Sequence, residues 1–332
     1  MTSSQIAKTG RLKPLKIAYL AVLVLCVTSL ASGNGGNDPF KTSISGYVQF
    51  QYRYDLREDN VPNNEFQVRR ARAKLRSIVV GRVEALFEID CGQGEIAVRD
   101  VGVEWKASRW LELFLGQHKI PFSREQLRSA RTLLVIDRGE INDAFDDFGY
   151  LGRDVGISIK GDVVKDGAPI SYALGVFNGN GWLVGGDNDN SKQFAERITA
   201  GPVGDLSIGL NSSQRSDSIT HDAMIAYGAD FSFRKWGMTI EAEALSGNTG
   251  PEESMLGGYI IALYRVGRLE PAVKVERLYP DSDETDESLD TYTFNLGWYF
   301  SRKIRLQTNL VTTVPQDQHT YHVAVAQLQV EF

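Results

Sequence analysis

The feature of this sequence that most constrains its fold is a repeated alternation of apolar and polar residues. In residues 44–54, for example, Ile44, Val48 and Tyr52 alternate with polar neighbours such as Gln49 and Gln51. A period of two places successive side chains on opposite faces of a β-strand. Similar segments recur as far as the C-terminus, so the sequence predicts an all-β protein.

The alternating segments predict 16 strands separated by two kinds of connection. We expect them at 44–54, 66–79, 83–90, 96–106, 110–118, 153–163, 170–178, 192–200, 205–211, 222–233, 236–245, 255–264, 268–277, 290–300, 303–313 and 321–332. Short turns alternate with long polar loops, so an up-and-down arrangement places all the short turns at one rim. That asymmetry and an even strand number are typical of outer-membrane barrels.

A soluble β-sandwich is the alternative, but a sandwich needs large apolar residues on the faces that meet. Here the polar faces carry charges and amides, as in Thr239, Glu241 and Glu243. Aromatic residues gather near the short turns as in a membrane girdle: Trp105, Trp110, Phe231, Phe233, Trp236, Tyr264, Trp298, Tyr299 and Phe300. The sequence therefore predicts a 16-stranded antiparallel transmembrane β-barrel spanning residues 43–332.

Two strands bear on this prediction in opposite ways. In the strand at 192–200, Arg197 shares a face with Ala195 and Thr199, and a charge facing lipid at mid-depth costs roughly 2–4 kcal/mol. Either Arg197 lies at a rim or in a subunit contact, or the register there differs. The last strand alternates cleanly and ends in Phe332, which resembles the C-terminal signature that outer-membrane assembly machinery recognises.

Residues 1–31 have the features of a secretory signal peptide. Four basic residues between positions 8 and 16 precede the apolar run Ile17–Leu30, and Ser29-Leu30-Ala31 forms a small-x-small cleavage site. A membrane anchor is the alternative, but the run is about 14 residues, short of the ~20 that a spanning helix needs. We expect the mature chain to begin at Ser32, with residues 32–42 flexible.

Cleavage would change both the charge and the cysteine content of the chain. It removes four positive charges and no acid, so the formal net charge goes from −6 to −10. It also removes Cys26 and leaves Cys91 as the remaining cysteine, which excludes an intramolecular disulfide framework. Beyond Leu30 no run of 18 or more apolar residues occurs, so a mature chain in a membrane must form a barrel.

Residues 119–152 interrupt the alternation. Ser123 is a plausible helix N-cap with Gln126 three residues later, and the residues that follow suit a short amphipathic helix reaching Val135. Long insertions without strand character are usually functional. We therefore interpret 119–152 as a constriction loop folded into the barrel.

Two groups of cations are candidates for lining the pore. The second strand places Arg70, Arg72, Lys74 and Arg76 on one face, a ladder about 20 Å long at ~3.3 Å per residue. The loop adds Lys119, Arg124, Arg128, Arg131 and Arg138. Both groups would attract anions. The alternative is a neutralised wall, since the third strand carries Glu84, Glu88 and Asp90.

The loop charges are unevenly distributed. Arg124, Arg128 and Arg131 have helical spacings that would present one cationic face. The acids cluster in the second half of the loop: Asp137, Glu140, Asp143, Asp146 and Asp147. Facing basic and acidic walls would produce a transverse field at a constriction, where little water screens charge. A solvated loop packed on the barrel mouth is the alternative.

Several stretches resemble one family, the phosphate-selective porins O and P of Gram-negative outer membranes. They are Phe66–Arg72, Leu115–Ser123, Arg153–Ile157 and Gly175–Gly179. The resemblance implies a 16-stranded barrel, a homotrimer, and diffusion of small anions that include phosphate or polyphosphate. The sequence departs from the family in that the loop has no lysine after Lys119.

The expected function is therefore an outer-membrane porin for passive diffusion of small hydrophilic solutes, with anions and outer-membrane lipid as partners. We expect no enzymatic activity, no cofactor, no metal and no nucleic acid, since no motif for these occurs. One alternative is a barrel with a plugged bore that acts in binding or adhesion. A barrel hydrolase using His221 or His319 is the other, although no serine or acid at a recognisable spacing completes a site.

Overall fold

The computed structural model describes residues 41–57, 61–165, 168–182, 187, 190–216, 222–251, 253–282, 287–316 and 319–332. The predicted signal peptide lies outside these residues. So does most of the predicted flexible segment, although Lys41 and Thr42 already belong to the first strand.

Sixteen strands form the fold. They are β1 Lys41–Asp55, β2 Asn64–Val80, β3 Val83–Asp90, β4 Ala97–Ser108, β5 Leu111–Lys119, β6 Arg153–Lys165, β7 Ala168–Phe177, β8 Gln193–Val203, β9 Leu206–Ser216, β10 Ala223–Lys235, β11 Met238–Asn248, β12 Ser254–Tyr264, β13 Leu269–Tyr279, β14 Leu289–Ser301, β15 Ile304–Pro315 and β16 Tyr321–Glu331. Each pairs antiparallel with its sequence neighbours, and β1 pairs with β16 to close a barrel. The predicted fold class is confirmed.

The two faces of the sheet differ in polarity. On β14, Phe294 and Leu296 are about half exposed, whereas Thr293 and Asn295 between them are buried. The polar face therefore points into the barrel and the apolar face points outward, where lipid replaces water. The chain end completes the closure, since the Phe332 N–H donates to the Gly46 carbonyl oxygen at 3.0 Å.

The structure corrects two predicted orientations. Arg197 points into the barrel, where its side chain is 10% exposed and its Nη2 lies 2.7 Å from Asp230 Oδ2. The face of β8 that meets lipid carries Phe194 and Ile198 instead, so the predicted register was wrong there. Tyr299 was predicted to belong to the aromatic girdle, but its ring does not face lipid. The guanidinium groups of Arg265 and Arg305 lie over the ring, at 4.0 and 5.2 Å from its centroid.

Residues 120–152 contain two short helices, α1 Arg124–Leu127 and α2 Glu140–Asp147, and the 3₁₀ turn Ala130–Thr132. A second 3₁₀ turn, Gly92–Gly94, connects β3 to β4. Within the described ranges, no helix is long and apolar enough to cross a membrane.

The main hydrophobic core lies between this segment and the inner faces of β7–β13. Phe122, Phe145 and Tyr150 of the segment are fully buried in it, against strand residues such as Phe177 and Met255. A Cβ at Gly257 would approach Ile141 of α2 to 2.8 Å, so glycine there lets the helix pack close to the wall. The segment is therefore held by buried apolar surface as well as by polar contacts.

Candidate functional site

The four cations predicted on the second strand do share the inward face of β2, but they meet acids there. In the β2–β3 register, Arg72 lies opposite Asp90 and Lys74 lies opposite Glu88. Arg72 Nε donates to Asp90 Oδ2 at 2.7 Å, and Lys74 Nζ lies 3.5 Å from Glu88 Oε2. Opposite charges across a strand pair stabilise a sheet modestly.

The network continues onto β4 and β6. Arg76 contacts Glu84 and donates to Glu104 Oε2 at 2.8 Å, while Lys160 Nζ donates to Glu104 Oε1 at 2.9 Å. We define the balanced wall as these inward-facing groups on β2–β6. Its cations are Arg72, Lys74, Arg76, Arg99, Lys106 and Lys160, and its acids are Glu84, Glu88, Asp90, Glu104 and Glu112. The ladder is therefore largely neutralised.

Arg70, the remaining ladder residue, connects the wall to the segment. It is buried, and its Nη1 donates to Gln49 Oε1 at 2.9 Å while Nη2 donates to Asp137 Oδ1 at 3.1 Å. Burial alone would raise the pKa of Asp137, but the guanidinium groups of Arg70 and Arg69 outweigh it and hold that pKa below its ordinary value. Asp137 is therefore ionised at neutral pH.

The predicted helix over the first half of the segment is shorter than expected. Ser123 is the N-cap, and its Oγ accepts from the Gln126 N–H at 3.3 Å, as predicted. The helix ends at Leu127, and other donors bond to the carbonyl oxygens that a longer helix would use. The expectation that Arg124, Arg128 and Arg131 form one helical face is therefore wrong.

Those donors are Lys119 and Arg138. Lys119 Nζ donates to the carbonyl oxygens of Gln126, Leu127 and Arg128 at 2.6, 3.1 and 3.0 Å. Arg138 donates to three carbonyl oxygens of the same turn. Burial lowers the pKa of Arg138 to about 10, which still leaves it charged at neutral pH. In the described part of the chain, neither cation forms an ion pair with a carboxylate.

A wall carboxylate holds the N-terminus of α1. Glu243 Oε2 accepts from Ser123 Oγ at 3.0 Å and from the Glu125 N–H at 3.2 Å, while Oε1 accepts from the Arg124 N–H at 2.5 Å. Asn211 Oδ1 on β9 accepts from the Ser123 N–H at 3.2 Å. The first N–H groups of a helix lack internal partners and favour negative charge, so Glu243 fits this position.

A second anchor lies on β13. The buried Lys274 Nζ donates to Glu125 Oε1 at 2.9 Å and lies 2.8 Å from Glu276 Oε2. Glu276 Oε1 also accepts from the Ile141 N–H in the first turn of α2 at 2.7 Å. Both helices of the segment are thus bonded at their N-terminal ends to glutamates that point inward from the wall.

The three arginines of the first half of the segment each contact a wall carboxylate. Arg124 Nε donates to Asp230 Oδ1 at 2.6 Å, Arg128 Nη2 contacts both oxygens of Glu241, and Arg131 Nη1 donates to Glu331 Oε2 at 3.1 Å. Asp230 also forms an ion pair with Arg197. Glu241 also pairs with Arg234, whose Nη2 lies 2.8 Å from Glu241 Oε1. We define the arginine-rich wall as Arg124, Arg128, Arg197 and Arg234 with Asp230 and Glu241.

The second half of the segment is acidic, in contrast to the arginines of its first half, because α2 carries several carboxylates. Partial burial raises the pKa of Asp146 to about 6, and the negative charges of Asp143 and Asp147 add to this, even though the side chain still meets solvent. Burial and neighbouring carboxylates also raise the pKa values of Glu140 and Asp143. The charge on α2 therefore changes in the mildly acidic range.

Several charged residues that complete these networks were missed by sequence reasoning. Arg99 lies 3.3 Å from Asp90 and Arg153 donates to Asp100 at 2.6 Å. Arg234 and Arg305 belong to the far side of the barrel, where Arg305 contacts Glu270 and the Leu133 carbonyl oxygen. Their inward parity is visible in the sequence. Their partners are not, because those lie on other strands or on the segment.

A closed barrel of 16 strands with a polar interior, to whose inner face a charged segment is bonded, has the architecture of a porin-type channel. Three solved structures share the fold. They are an anion-selective porin from Comamonas acidovorans (14% identity, TM-score 0.67, 88% of this chain and 100% of that one), OmpF of Salmonella typhi in complex with daunomycin (10%, 0.66, 90% and 99%), and the trimer form of OmpT of Vibrio cholerae (11%, 0.62, 89% and 100%).

The family itself is shown by sequence. The model of phosphate-selective porin O and P matches residues 43–227, more than half of the chain, and the chain belongs to that family. No curated protein matches it. Family and fold together make it an outer-membrane channel for small solutes.

Proposed function

We propose that the protein is a passive porin that prefers anions, and that residues 119–152 fold into the bore and narrow it. The observation that carries the proposal is the set of strands to which the segment is bonded. Gln49 on β1 donates to the Ala130 carbonyl oxygen at 3.2 Å, while Asn211 on β9 accepts from Ser123. In a ring of 16 strands β1 and β9 lie opposite each other, so a segment bonded to both crosses the interior.

The anion preference rests on the charges beside this crossing. Arg138 holds its charge against backbone carbonyl oxygens, and the four arginines of the arginine-rich wall share two carboxylates. The balanced wall contributes little net charge. Small anions, phosphate among them, are the solutes that this distribution favours, since fixed positive charge at a narrow passage attracts them.

Two further parts of the proposal concern assembly. A homotrimer is supported by the fold shared with the trimer form of OmpT. A cleaved signal peptide at residues 1–31 would bring the chain to the outer membrane. Intact mass of the mature protein tests the cleavage, and light scattering of the detergent complex tests the trimer.

The decisive experiment is single-channel recording in a planar bilayer under a KCl gradient, with phosphate titrated in. We expect open channels, a reversal potential of the sign set by chloride, and a fall in current as phosphate is added. Cation preference would overturn the anion part of the proposal. Folded protein without conductance would point to a plugged bore that serves binding or adhesion.

A further inference from the structure

A cavity of about 890 Å³ lies between the first half of the segment and the short-turn ends of the strands from β8 to β13. Six cations line it: Arg124, Arg128, Arg197, Arg234, Lys235 and Arg265. The β10–β11 turn, with Trp236, lies at its edge. It is therefore on the opposite side of the barrel from the β2 ladder, at the rim away from the long loops.

The carboxylates near this cavity do not match its cations in number. Asp230 lies between Arg124 and Arg197, at 2.6 and 2.7 Å, and Glu241 lies between Arg128 and Arg234. Lys235 has Asp205 as its partner, and Arg265 shares Glu270 with Arg305. Glu243 is the next inward acid on β11, but its oxygens accept from the segment. The four guanidinium groups of the arginine-rich wall thus keep an excess of two positive charges.

One of these arginines has hydrogen-bonding capacity left over. The Arg197 side chain is nine-tenths buried, and among the described residues its Nη1 has no hydrogen-bond partner. A buried guanidinium N–H without an acceptor is costly, and charge-assisted bonds to an oxyanion are the strong ones. Nη1 itself has almost no accessible surface, so the guanidinium group must turn toward the cavity, which Arg197 lines, before an oxyanion there supplies the missing acceptor.

The cavity also has an apolar side. Leu127 and Leu134 of the segment, together with Trp236, Met238 and Leu263, line it beside the cations. Inorganic phosphate would leave this surface in contact with water. An anion that carries an apolar group would cover it, which adds hydrophobic stabilisation in proportion to the area buried.

From these observations we propose that the cavity is a binding site for small organic phosphate monoesters. The phosphate oxygens would accept from the forked N–H groups of Arg197 and Arg234, a geometry that guanidinium groups favour. The apolar portion would lie against Leu127 and Leu134 of the segment. The site rests on the proposed channel function, because a solute reaches it through the bore, and it deepens that function by naming a solute class.

Isothermal titration calorimetry of the folded protein in detergent tests the site without any need for conductance. The probes are phenyl phosphate, inorganic phosphate and benzyl alcohol. We expect phenyl phosphate to bind about ten-fold more tightly than inorganic phosphate because the ring buries apolar surface. Benzyl alcohol, which has the ring without the charge, should show no binding. Equal affinities for the two phosphates would overturn the apolar half of the site, and binding of neither would overturn the whole.

Variants locate the site within the barrel. Arg197→Gln and Arg234→Gln should each weaken phenyl phosphate binding by about ten-fold, the effect of losing a charge-assisted bond. Arg277→Gln is the matched control, since Arg277 points outward and pairs with Asp290. Arg234 is 58% exposed on its side chain, so its variant remains informative if the Arg197 variant does not fold. Unchanged affinity in Arg234→Gln would overturn the location.

Adding the ligand to one side of the membrane at a time distinguishes a failure of this site from a failure of the channel function on which the site rests. In a bilayer, phenyl phosphate added at the short-turn side should reduce current at lower concentration than when it is added at the long-loop side. Cys91 is exposed between β3 and β4, on the long-loop side, so an impermeant thiol reagent reports the orientation. Open, anion-preferring channels with no side difference would overturn the site alone, whereas folded protein that binds without conducting would overturn only the channel.

Discussion

Two walls of the barrel carry similar residues with different electrostatic results. On the balanced wall, six cations meet five carboxylates, and most pairs join neighbouring strands. On the arginine-rich wall, four guanidinium groups share Asp230 and Glu241. A row of cations in the sequence therefore says little about the field in the bore until the carboxylates that face it are counted.

The difference has a simple origin in the chain. Four of the five acids of the balanced wall lie on β3 and β4, one or two hairpins from the ladder, and Glu112 lies on the next strand, so a local pattern largely cancels its own charge. The arginine-rich wall is assembled from α1 with Arg128 directly after it, β8, β10 and β11, and Arg128 lies 113 residues from Glu241. Excess charge arises where elements distant in sequence meet.

The largest expected effect comes from weakening the bonds between the segment and Glu243, the inward acid on β11 that follows Glu241 of the arginine-rich wall. In Glu243→Gln one of the three segment donors that bond to Glu243 loses its acceptor, since an amide has only one accepting oxygen. We expect the free energy of unfolding to fall by about 1–3 kcal/mol, the cost of an unsatisfied buried donor. Single-channel conductance should become larger and noisier, because the segment is held less firmly. Thermal unfolding followed by circular dichroism and bilayer recording measure the two effects.

Glu88→Gln is the matched control for this variant. It makes the same change on the balanced wall, where Glu88 contacts Arg72 and Lys74 and not the segment. Its conductance should keep the wild-type amplitude and noise. If both variants alter conductance equally, the segment is not held by Glu243, and the comparison of the two walls fails.

A smaller effect is expected on ion selectivity. Arg128→Gln removes the charge of a segment side chain that is 13% exposed. Lys74→Gln removes the charge of a side chain on the balanced wall that is 34% exposed. Since the buried charge is less screened, Arg128→Gln should lower the anion-to-cation permeability ratio about two- to five-fold, as Coulomb's law gives at ~8 Å in water. Lys74→Gln should lower it less than about two-fold.

Reversal potentials in a KCl gradient measure both ratios. Arg277→Gln, with its charge on the outer face, should leave the ratio unchanged. A larger shift from Lys74→Gln than from Arg128→Gln would mean that the β2 ladder sets the selectivity after all, which is the interpretation that the sequence alone favours.

The fold was predictable because side-chain alternation reports strands directly. All 16 strands occur where the pattern placed them, although β9 extends to Ser216 because it stays paired with β10 as far as Ala223. The face of β8 was predicted wrongly for a physical reason. Ala195 and Thr199 are small, and Arg197 and Glu196 place a charge on each face, so polarity alone does not distinguish inside from outside.

The site was predictable only where its partners are local. The pairing of the β2 cations with β3 acids follows from a hairpin and was anticipated as the neutralised alternative. The length of α1 was not predictable, because the carbonyl oxygens at its end accept from the side chains of Lys119 and Arg138, and the periodicity of the sequence does not report such bonds. The partners of Arg124 and Arg128 depend on the path of the segment, and no periodicity encodes that path.

The smallest expected effect is a pH dependence that sharpens the contrast between the arginine-rich wall and the acidic helix α2. With a pKa of about 6, Asp146 is mostly ionised at pH 7 and mostly protonated at pH 5, and the raised pKa values of Glu140 and Asp143 act in the same direction. Lowering the pH across this range therefore removes negative charge from α2, and the anion-to-cation permeability ratio should rise by up to about two-fold, the Coulomb effect of one partly screened charge. Reversal potentials of wild type and Asp146→Asn at pH 7 and pH 5 measure it. The variant should already show the higher ratio at pH 7 and should change less on acidification, whereas an identical pH response in both proteins would place α2 away from the path of the ions.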